Sequence, residues 1–397
     1  MNLYEFEGKS LFEKYDIAVP NGVLVRRGDD YAAAYSGLKI ADVVVKPQIL
    51  GGGRGKQGGI RFCTSHEEVA RACEELFDAD FEGKYVAAVR IEEKVDIAVE
   101  HYVSITYDTK FAQPVLVYSA RGGVDIETVA DEEIQRFLLD VRVGDINVQL
   151  AHAKDLKGVR QVCAHVWKCF LNEDVRVIEI NPLAELAPRT KFEGARWVAL
   201  DAKVVLDDDA FYRHKEWGEF EPRTMMGRPP TERETAVAKI DEGEGYYRGT
   251  AGKYVELDGD IAVLFSGGGA SIASMDALKT HGLSPANYTE YSGNPPREKV
   301  RELAKMVLSK PGLRGLWIAG GVANFTDVAE TFAGICDALD EVKPSYPIVV
   351  RRAGPNEEEG MRLMRECGER HGLRMKLFGK EVGIGETAKV LAEMVKE

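Results

Sequence analysis

The sequence predicts an α/β chain in two parts, the second built on a parallel sheet, and three stretches carry that prediction. Leu316-Trp-Ile-Ala319 is a short apolar run suited to a buried strand, and Gly320 and Gly321 break it. Val328, Phe332, Ile335 and Leu339 then recur at helical spacing. A strand that passes through glycines into a helix leaves backbone N–H groups unpaired at the helix start, where the dipole favours an anion. Asn324 and Thr326 fall there, and both capping the helix and reading the shape of an anion are open to them. The same order recurs where Ile261-Ala-Val-Leu-Phe265 meets Ser266-Gly-Gly-Gly-Ala-Ser271. In the first part, Val43-Val-Val-Lys46-Pro47 is a β-branched strand that ends in a lysine and runs into the glycine-rich stretch GGGRGKQGG at 51–59.

The elements follow in order. Residues 1–17 read as a helix with Leu3, Phe6, Leu11 and Phe12 on its apolar side, ended near Pro20. The 51–59 loop, with Arg54 and Lys56 among its glycines, is either a flexible surface loop or a backbone that approaches a polyphosphate closely, with Lys46 adding charge. It is not a P-loop, because the G-x-x-x-x-G-K-[ST] pattern is absent. Residues 89–105 give two strand-like segments with Glu92 and Glu100 eight positions apart. Each carboxylate is either solvated or placed to accept from an amino group or a hydroxyl. Val175-Arg-Val-Ile-Glu179-Ile-Asn181 puts Glu179 and Asn181 on one face of a strand, and Val198-Ala-Leu-Asp201-Ala-Lys203 reads as a second strand with Asp201 near its end. Their oxygens suit Mg²⁺ as well as they suit ordinary polar strand ends. Residues 204–250, charged and containing Pro222, Pro229 and Pro230, read as a connector. Beyond it, Asn287–Ser292, the 315–319 run, Tyr346–Val350 before Arg351-Arg352, and Met375–Phe378 complete the strands of the second part. Ligands of a parallel sheet collect beyond the carboxyl ends of its strands, and four glycine- or arginine-bearing loops fall at such ends.

Bulk properties narrow the function classes. An apolar content of 45% and a charged content of 29% are those of an ordinary globular protein, and 397 residues allow two or three domains. A net charge of −13 sets nucleic acid and anionic membranes aside as partners, so an anionic metabolite would need local positive sites. No signal peptide is read at the start, and no apolar run approaches the ~18 residues that cross a bilayer. Cysteines 63, 73, 163, 169, 336 and 367 contain no C-x-x-C pair and fit a reducing cytoplasm. Cys163, His165 and Cys169 share a helix-like stretch with Val162, Val166, Trp167 and Phe170, which points to core packing over metal binding.

Lys46-Pro47, the GGGRGKQGG loop, Glu92 with Glu100, Glu179-Ile-Asn181-Pro-Leu and Asp201 resemble, in order and spacing, an ATP-grasp domain of the succinyl-CoA synthetase nucleotide-binding subunits. The resemblance covers essentially the whole chain. It implies that Lys46, Arg54 and Gly55 contact nucleotide phosphates, that Glu92 and Glu100 hold adenine and ribose, and that Asn181 and Asp201 bind Mg²⁺. Gly122-Gly-Val-Asp-Ile-Glu127 is shared as well, with no physical role evident from sequence.

In the second part the subgroups of that family diverge. GGGAS, NYTEYSG, GGVANFTDV and VVRRAGPN are similar to the ATP-citrate lyases rather than to the succinyl-CoA synthetases. The resemblance implies a citrate site at Ser292, Gly293, Ala323, Asn324, Phe325, Thr326 and Arg352. It also implies an ATP-grasp domain with its connector over 1–235 and a flavodoxin-like citrate-binding domain over 236–397. The family's phosphohistidine lies on a larger partner subunit or a later segment, and the histidines at 66, 101, 152, 165, 214, 281 and 371 match no such motif. The chain is thus expected to hold no catalytic residue of its own. ATP and Mg²⁺ would bind here, and coenzyme A mostly on the partner. That partner would also carry the phosphohistidine and a citrate-synthase-like lyase module.

Overall fold

A computed structural model describes residues 1–144, 146, 148, 150, 156–187, 195–242 and 247–397; His152 lies outside the described residues. The chain divides into two units, Met1–Pro229 and Pro230–Glu397. In chain order the first contains α1 (Glu5–Lys14), β1 (Gly22–Val25), α2 (Tyr31–Leu38), β2 (Val43–Gln48), β3 (Arg61–Cys63), α3 (His66–Asp78) and β4 (Ala88–Glu93). It continues with β5 (Ile97–Asp108), β6 (Gln113–Ser119), β7 (Ile134–Leu138), α4 (Leu156–Asn172), β8 (Val175–Leu186), β9 (Trp197–Ala199) and β10 (Lys203–Leu206).

Two antiparallel sheets organise this unit. The smaller has the order β1-β4-β2-β3; the larger runs β10-β8-β5-β6-β7, with β9 beside β8. Val43, Val45, Val89 and Ile91 of the small sheet pack on Val69, Cys73 and Leu76 of α3. The large sheet packs Val103, Ile105, Ile178 and Ile180 on Cys163, Val166, Trp167 and Phe170 of α4, so Cys163 and Cys169 are core residues as expected. The half-buried His165 ring bonds the Asp16 carbonyl at 3.0 Å. Every cysteine is free and buried.

Three expectations for this unit need correction. The first helix is shorter than 1–17. Its buried set includes Glu5, Glu7 and Lys9 beside Leu11 and Phe12, whereas Phe6 is only half-buried, because the carboxylates and the ammonium have partners inside. The Val198–Lys203 strand is broken: Asp201 sits between β9 and β10, and its Oδ1 turns back to accept from Ala202 N at 2.8 Å. Residues 204–229 are no loose connector either. Two 3₁₀ turns, Asp208–Arg213 and Lys215–Glu219, follow β10, and the Arg223 guanidinium is buried on both oxygens of Glu7 and 4.5 Å from the Tyr4 ring centre.

The second unit contains α5 (Glu232–Ala238), β11 (Thr250–Glu256), β12 (Ile261–Ser266), α6 (Gly268–Thr280), β13 (Asn287–Ser292) and α7 (Arg297–Leu308). It continues with β14 (Gly315–Val322), α8 (Val328–Val342), β15 (Ile348–Ala353), α9 (Glu357–His371), β16 (Met375–Phe378) and α10 (Ile384–Lys396). The sheet order is β11-β13-β12-β14-β15-β16. Apart from the edge strand β11, which pairs antiparallel with β13, the strands are parallel. Counted from β12, the parallel order is 2-1-3-4-5, the flavodoxin-like winding whose chain reversal falls between β12 and β14. Alternate residues feed opposite faces: Leu264, Leu316 and Ile318 join α7, α8 and α9, while Val263, Phe265 and Trp317 join α6 and α10.

Gly320 and Gly321 do not end their strand, which runs to Val322 with a register irregularity after Ala319. The helix after it starts at Val328, four residues later than Asn324, and its cap is Asp327, whose side chain accepts from Glu330 N at 3.0 Å. Asn324 and Thr326 are therefore free of capping duty.

Candidate functional site

A cleft of about 960 Å³ in the first unit gathers most of the residues singled out there. Its walls include Lys46, Arg54, Gly55, Glu92, Glu100, Asn181 and Asp201, brought from β2, the 51–59 loop, β4, β5, β8 and the β9–β10 break. Val44, Ile60, Phe62, Val95 and Ile97 add an apolar side that the sequence reading had not named. No lining residue is a histidine.

Beneath the cleft lies an ion network whose centre, Glu5 with Lys9, sequence reading missed. Lys9 Nζ stands 2.6 Å from a Glu5 oxygen and 2.6 Å from a Glu92 oxygen, with all three side chains at 2% exposure or less. Lys46 pairs with Glu92 and donates to the Leu200 carbonyl at 2.8 Å. Arg54 joins the other oxygen of Glu5 to Asp201, and Arg90 reaches Glu92 at 3.0 Å. Burial alone would raise the Glu5 carboxyl, but Arg54, Lys46 and Lys9 outweigh it and hold the group well below its ordinary value. Glu92 is lowered in the same way by Lys46 and Lys9 against its burial. A charged pair one helical turn apart usually marks a solvated face, and no pattern in the sequence distinguishes this buried one.

Both Glu92 oxygens are thus taken by cations. Glu100 differs: it lines the cleft half-buried, burial raises its carboxyl, and no donor among the described residues reaches it. Asn181 holds the GGVD segment, its Oδ1 accepting from Gly123 N at 2.8 Å and its Nδ2 donating to the Val124 carbonyl at 3.0 Å. That gives Gly122-Gly123 a physical account. A Cβ on Gly122 would lie 2.2 Å from the His101 carbonyl oxygen, and Gly123, at φ +71°, would put one 2.1 Å from Glu100. Gly122→Ala is expected to cost about 2 kcal/mol or more of stability and to weaken any ligand of the cleft, because backbone has to move. Equal denaturant midpoints for variant and parent would refute it.

The oxygens of Glu179, Asn181 and Asp201 share the cleft wall. Arg54 and Ala202 N both use Oδ1 of Asp201, leaving Oδ2; Asn181 Oδ1, bonded by Gly123 N, keeps a second lone pair, and Glu179 keeps Oε1 while Oε2 faces Lys203 Nζ at 3.5 Å, so the remaining oxygens fit a hard divalent cation.

In the second unit the expected residues fall at the carboxyl ends of the parallel strands. Ser292 ends β13 and bonds Thr250 Oγ1 at 3.2 Å, and Gly293 follows in the left-handed region at φ +69°. Ala323 N donates to the Ala353 carbonyl at 2.8 Å, tying the 322–327 loop to β15. Asn324 and Phe325 are exposed and Thr326 is buried. Arg351 and Arg352 are both buried on the glycine segment: Arg351 Nη1 donates to Gly320 O and Arg352 Nη1 to Gly321 O, each at 2.7 Å. Arg352 Nε has no hydrogen-bond partner among the described residues. Asp327, bonded by Asn294 Oδ1 through its N–H at 3.0 Å and by Asn356 Nδ2 at 2.7 Å, fixes the end of the loop.

Comparison with known proteins assigns both units. Residues 2–185 match the ATP-grasp domain family, and residues 228–393 match the ATP citrate lyase citrate-binding family. ATP citrate lyase from Methanothrix soehngenii, solved with citrate and coenzyme A, superposes with a TM-score of 0.75 at 26% identity, covering 99% of each chain. The Methanosaeta concilii enzyme, solved with (3S)-citryl-CoA, gives 0.74 at 26% identity over 98% of each. In sequence, the succinate–CoA ligase [ADP-forming] β subunit of Desulfurococcus amylolyticus is 35% identical over 381 residues, 93% of this chain and 94% of that one. The chain belongs to the ATP-grasp family of succinate–CoA ligase β subunits, in the form that carries the citrate-binding domain of ATP citrate lyase.

Proposed function

We propose that this chain is the smaller subunit of a two-subunit ATP-citrate lyase, binding Mg-ATP in its first unit and citrate in its second, in a reducing cytoplasm. The observation that carries the reading is the second unit itself. Within the segment matched by the citrate-binding family, Ser292-Gly293 at the end of β13, Asn324-Phe325-Thr326 in the loop after β14 and Arg352 near the end of β15 all lie at the carboxyl side of the parallel strands. A tricarboxylate calls for a guanidinium with hydroxyl and N–H donors around it, and those are the groups supplied.

In this reading Lys46, Arg54 and Gly55 receive the phosphates and Glu100 accepts from the ribose, whereas Glu92, expected with Glu100 to hold adenine and ribose, has both oxygens on Lys46, Lys9 and Arg90 and holds Lys46 instead. Asn181 and Asp201 would hold Mg²⁺, which when bound neutralises charge on the phosphates. The γ-phosphoryl group passes to a histidine of the larger partner and from there to a citrate carboxylate, giving citryl phosphate. The coenzyme A thiol displaces phosphate to give citryl-CoA, and the partner's lyase module cleaves this to acetyl-CoA and oxaloacetate. The likeness to the succinate–CoA ligase β subunits supports a second reading in which succinate takes the acid site. A citryl-CoA synthetase large subunit would perform the same half-reaction as the first.

Calorimetric titration of the full chain with citrate, succinate and Mg-ATP separates the citrate reading from the succinate reading. Citrate binding without succinate binding is expected; preference for succinate would replace the first reading with the second. Asp201→Asn is expected to weaken Mg-ATP by about tenfold or more, some 1.4 kcal/mol, with citrate affinity unchanged. Equal loss of both ligands would contradict a role confined to the nucleotide site.

A further inference from the structure

A second polar cluster lies outside the cleft, where α4 ends and the two 3₁₀ turns meet. A carboxylate oxygen of Glu173, a ring nitrogen of His214 and a carboxylate oxygen of Glu216 lie within 4.8 Å of one another. Glu173 is 1% exposed. Its Oε1 accepts from Lys14 Nζ at 2.5 Å and from the Tyr15 hydroxyl at 2.6 Å, while its Oε2 is buried with no hydrogen-bond partner. Although Lys14 pairs with the other oxygen, a buried carboxylate oxygen left without a donor among the described residues is costly and open to a further ligand.

His214 is oriented as metal-ligating histidines are. Its Nε2 meets Asp174 Oδ2 at 2.7 Å, and Asp174 is itself gripped by Arg213 through two bonds of 2.6 and 2.7 Å. A carboxylate that fixes one ring nitrogen turns the other toward the ion. That other nitrogen, Nδ1, faces Glu216 Oε1 at 3.1 Å. The ring stacks on Trp217, with centroids 4.2 Å apart and planes 6° from parallel, which holds its plane. Glu216 is exposed and can close the remaining distance, and water can complete the shell.

We propose that Glu173, His214 and Glu216 form a zinc site that staples the end of α4 to the 208–219 segment. One imidazole and two carboxylates with an open position suit Zn²⁺ rather than Mg²⁺ or Ca²⁺, which take oxygen alone. On binding, His214 is neutral at Nδ1, its proton leaves to solvent, and the Nδ1–Glu216 hydrogen bond gives way to two metal bonds. The site is independent of the nucleotide and citrate readings.

The test uses chelator-treated full-length chain with Mg²⁺ in excess, so that the oxygen donors of the cleft are filled. Co²⁺ titration should produce visible d–d absorption that one equivalent of Zn²⁺ abolishes, and Zn²⁺ should raise the thermal midpoint. His214→Gln should remove both signals. Glu216→Gln, at an exposed position that does not threaten folding, should weaken Zn²⁺ at least tenfold. Absence of stoichiometric binding, or Zn²⁺ affinity in Glu216→Gln equal to the parent's, would overturn the site.

Discussion

Glu5→Ala is expected to lower the unfolding free energy by about 3–5 kcal/mol, the usual cost of stripping one partner from a buried ion cluster. The carboxylate touches Lys9, Lys46 and Arg54 at once, and its removal leaves those buried cations with Glu92 and Asp201 as their carboxylate partners among the described residues. Urea unfolding measures the effect, with Glu359→Ala on the exposed surface pair with Arg362 as the control, expected within about 0.5 kcal/mol of the parent. The pH dependence has a definite sign. The carboxyls of Glu5 and Glu92 are lowered in the folded chain, so their contribution is complete above the ordinary carboxylate value near ~4.3 and fades as pH falls below it. Removing Glu5 should therefore flatten the acid limb of the stability curve. With Lys46 and Arg54 in the proposed nucleotide role, Mg-ATP affinity should fall as well, since both lose an ion-pair partner. A loss under about 1 kcal/mol would mean that solvent, not Glu5, compensates those cations.

Much of this was legible in the chain, and the reason differs between the units. Alternation of apolar strands and amphipathic helices from Ile261 onward points to a parallel sheet, because β12, β14 and β15 are buried on both faces while α7 and α8 bury one. The edge strand β11 escaped notice, since one-sided pairing leaves Thr250–Glu256 without an apolar run. In the first unit, glycines and cations marked the cleft wall at 51–59, but its floor is made by Glu5 and Lys9, which in a sequence look like any solvated pair. The 204–229 segment misled for the related reason that charge there is internal: Arg223 is buried on Glu7, more than two hundred residues away in the chain. The helix start near Asn324 was misplaced because Gly320 and Gly321 suggest a break, whereas the strand passes through them. Gly320 is closely approached instead, since a Cβ there would lie 2.6 Å from Arg352 Nη1 and 3.1 Å from the Ser266 carbonyl oxygen.

That close approach makes Arg352 the most informative position in the second unit. Arg352→Ala is expected to weaken citrate by about 2–5 kcal/mol, the range found when one partner of a buried charge-assisted contact is truncated. Two effects act together. The guanidinium would lose any contact with a carboxylate of the ligand, and its bond to Gly321 O, which helps to fix the loop bearing Asn324 and Thr326, would go with it. The Nε, buried near the end of β15, is a donor that no acceptor among the described residues satisfies. Arg352→Lys separates charge from geometry: an ammonium retains the charge but not the planar fork, so a loss of at least about tenfold in citrate affinity is expected there too. Mg-ATP titration of the same variants supplies the control, because its groups lie in the first unit and should keep their affinity. Unchanged citrate binding in Arg352→Ala would remove the arginine from the proposed acid site and return it to the role of a brace for Gly321.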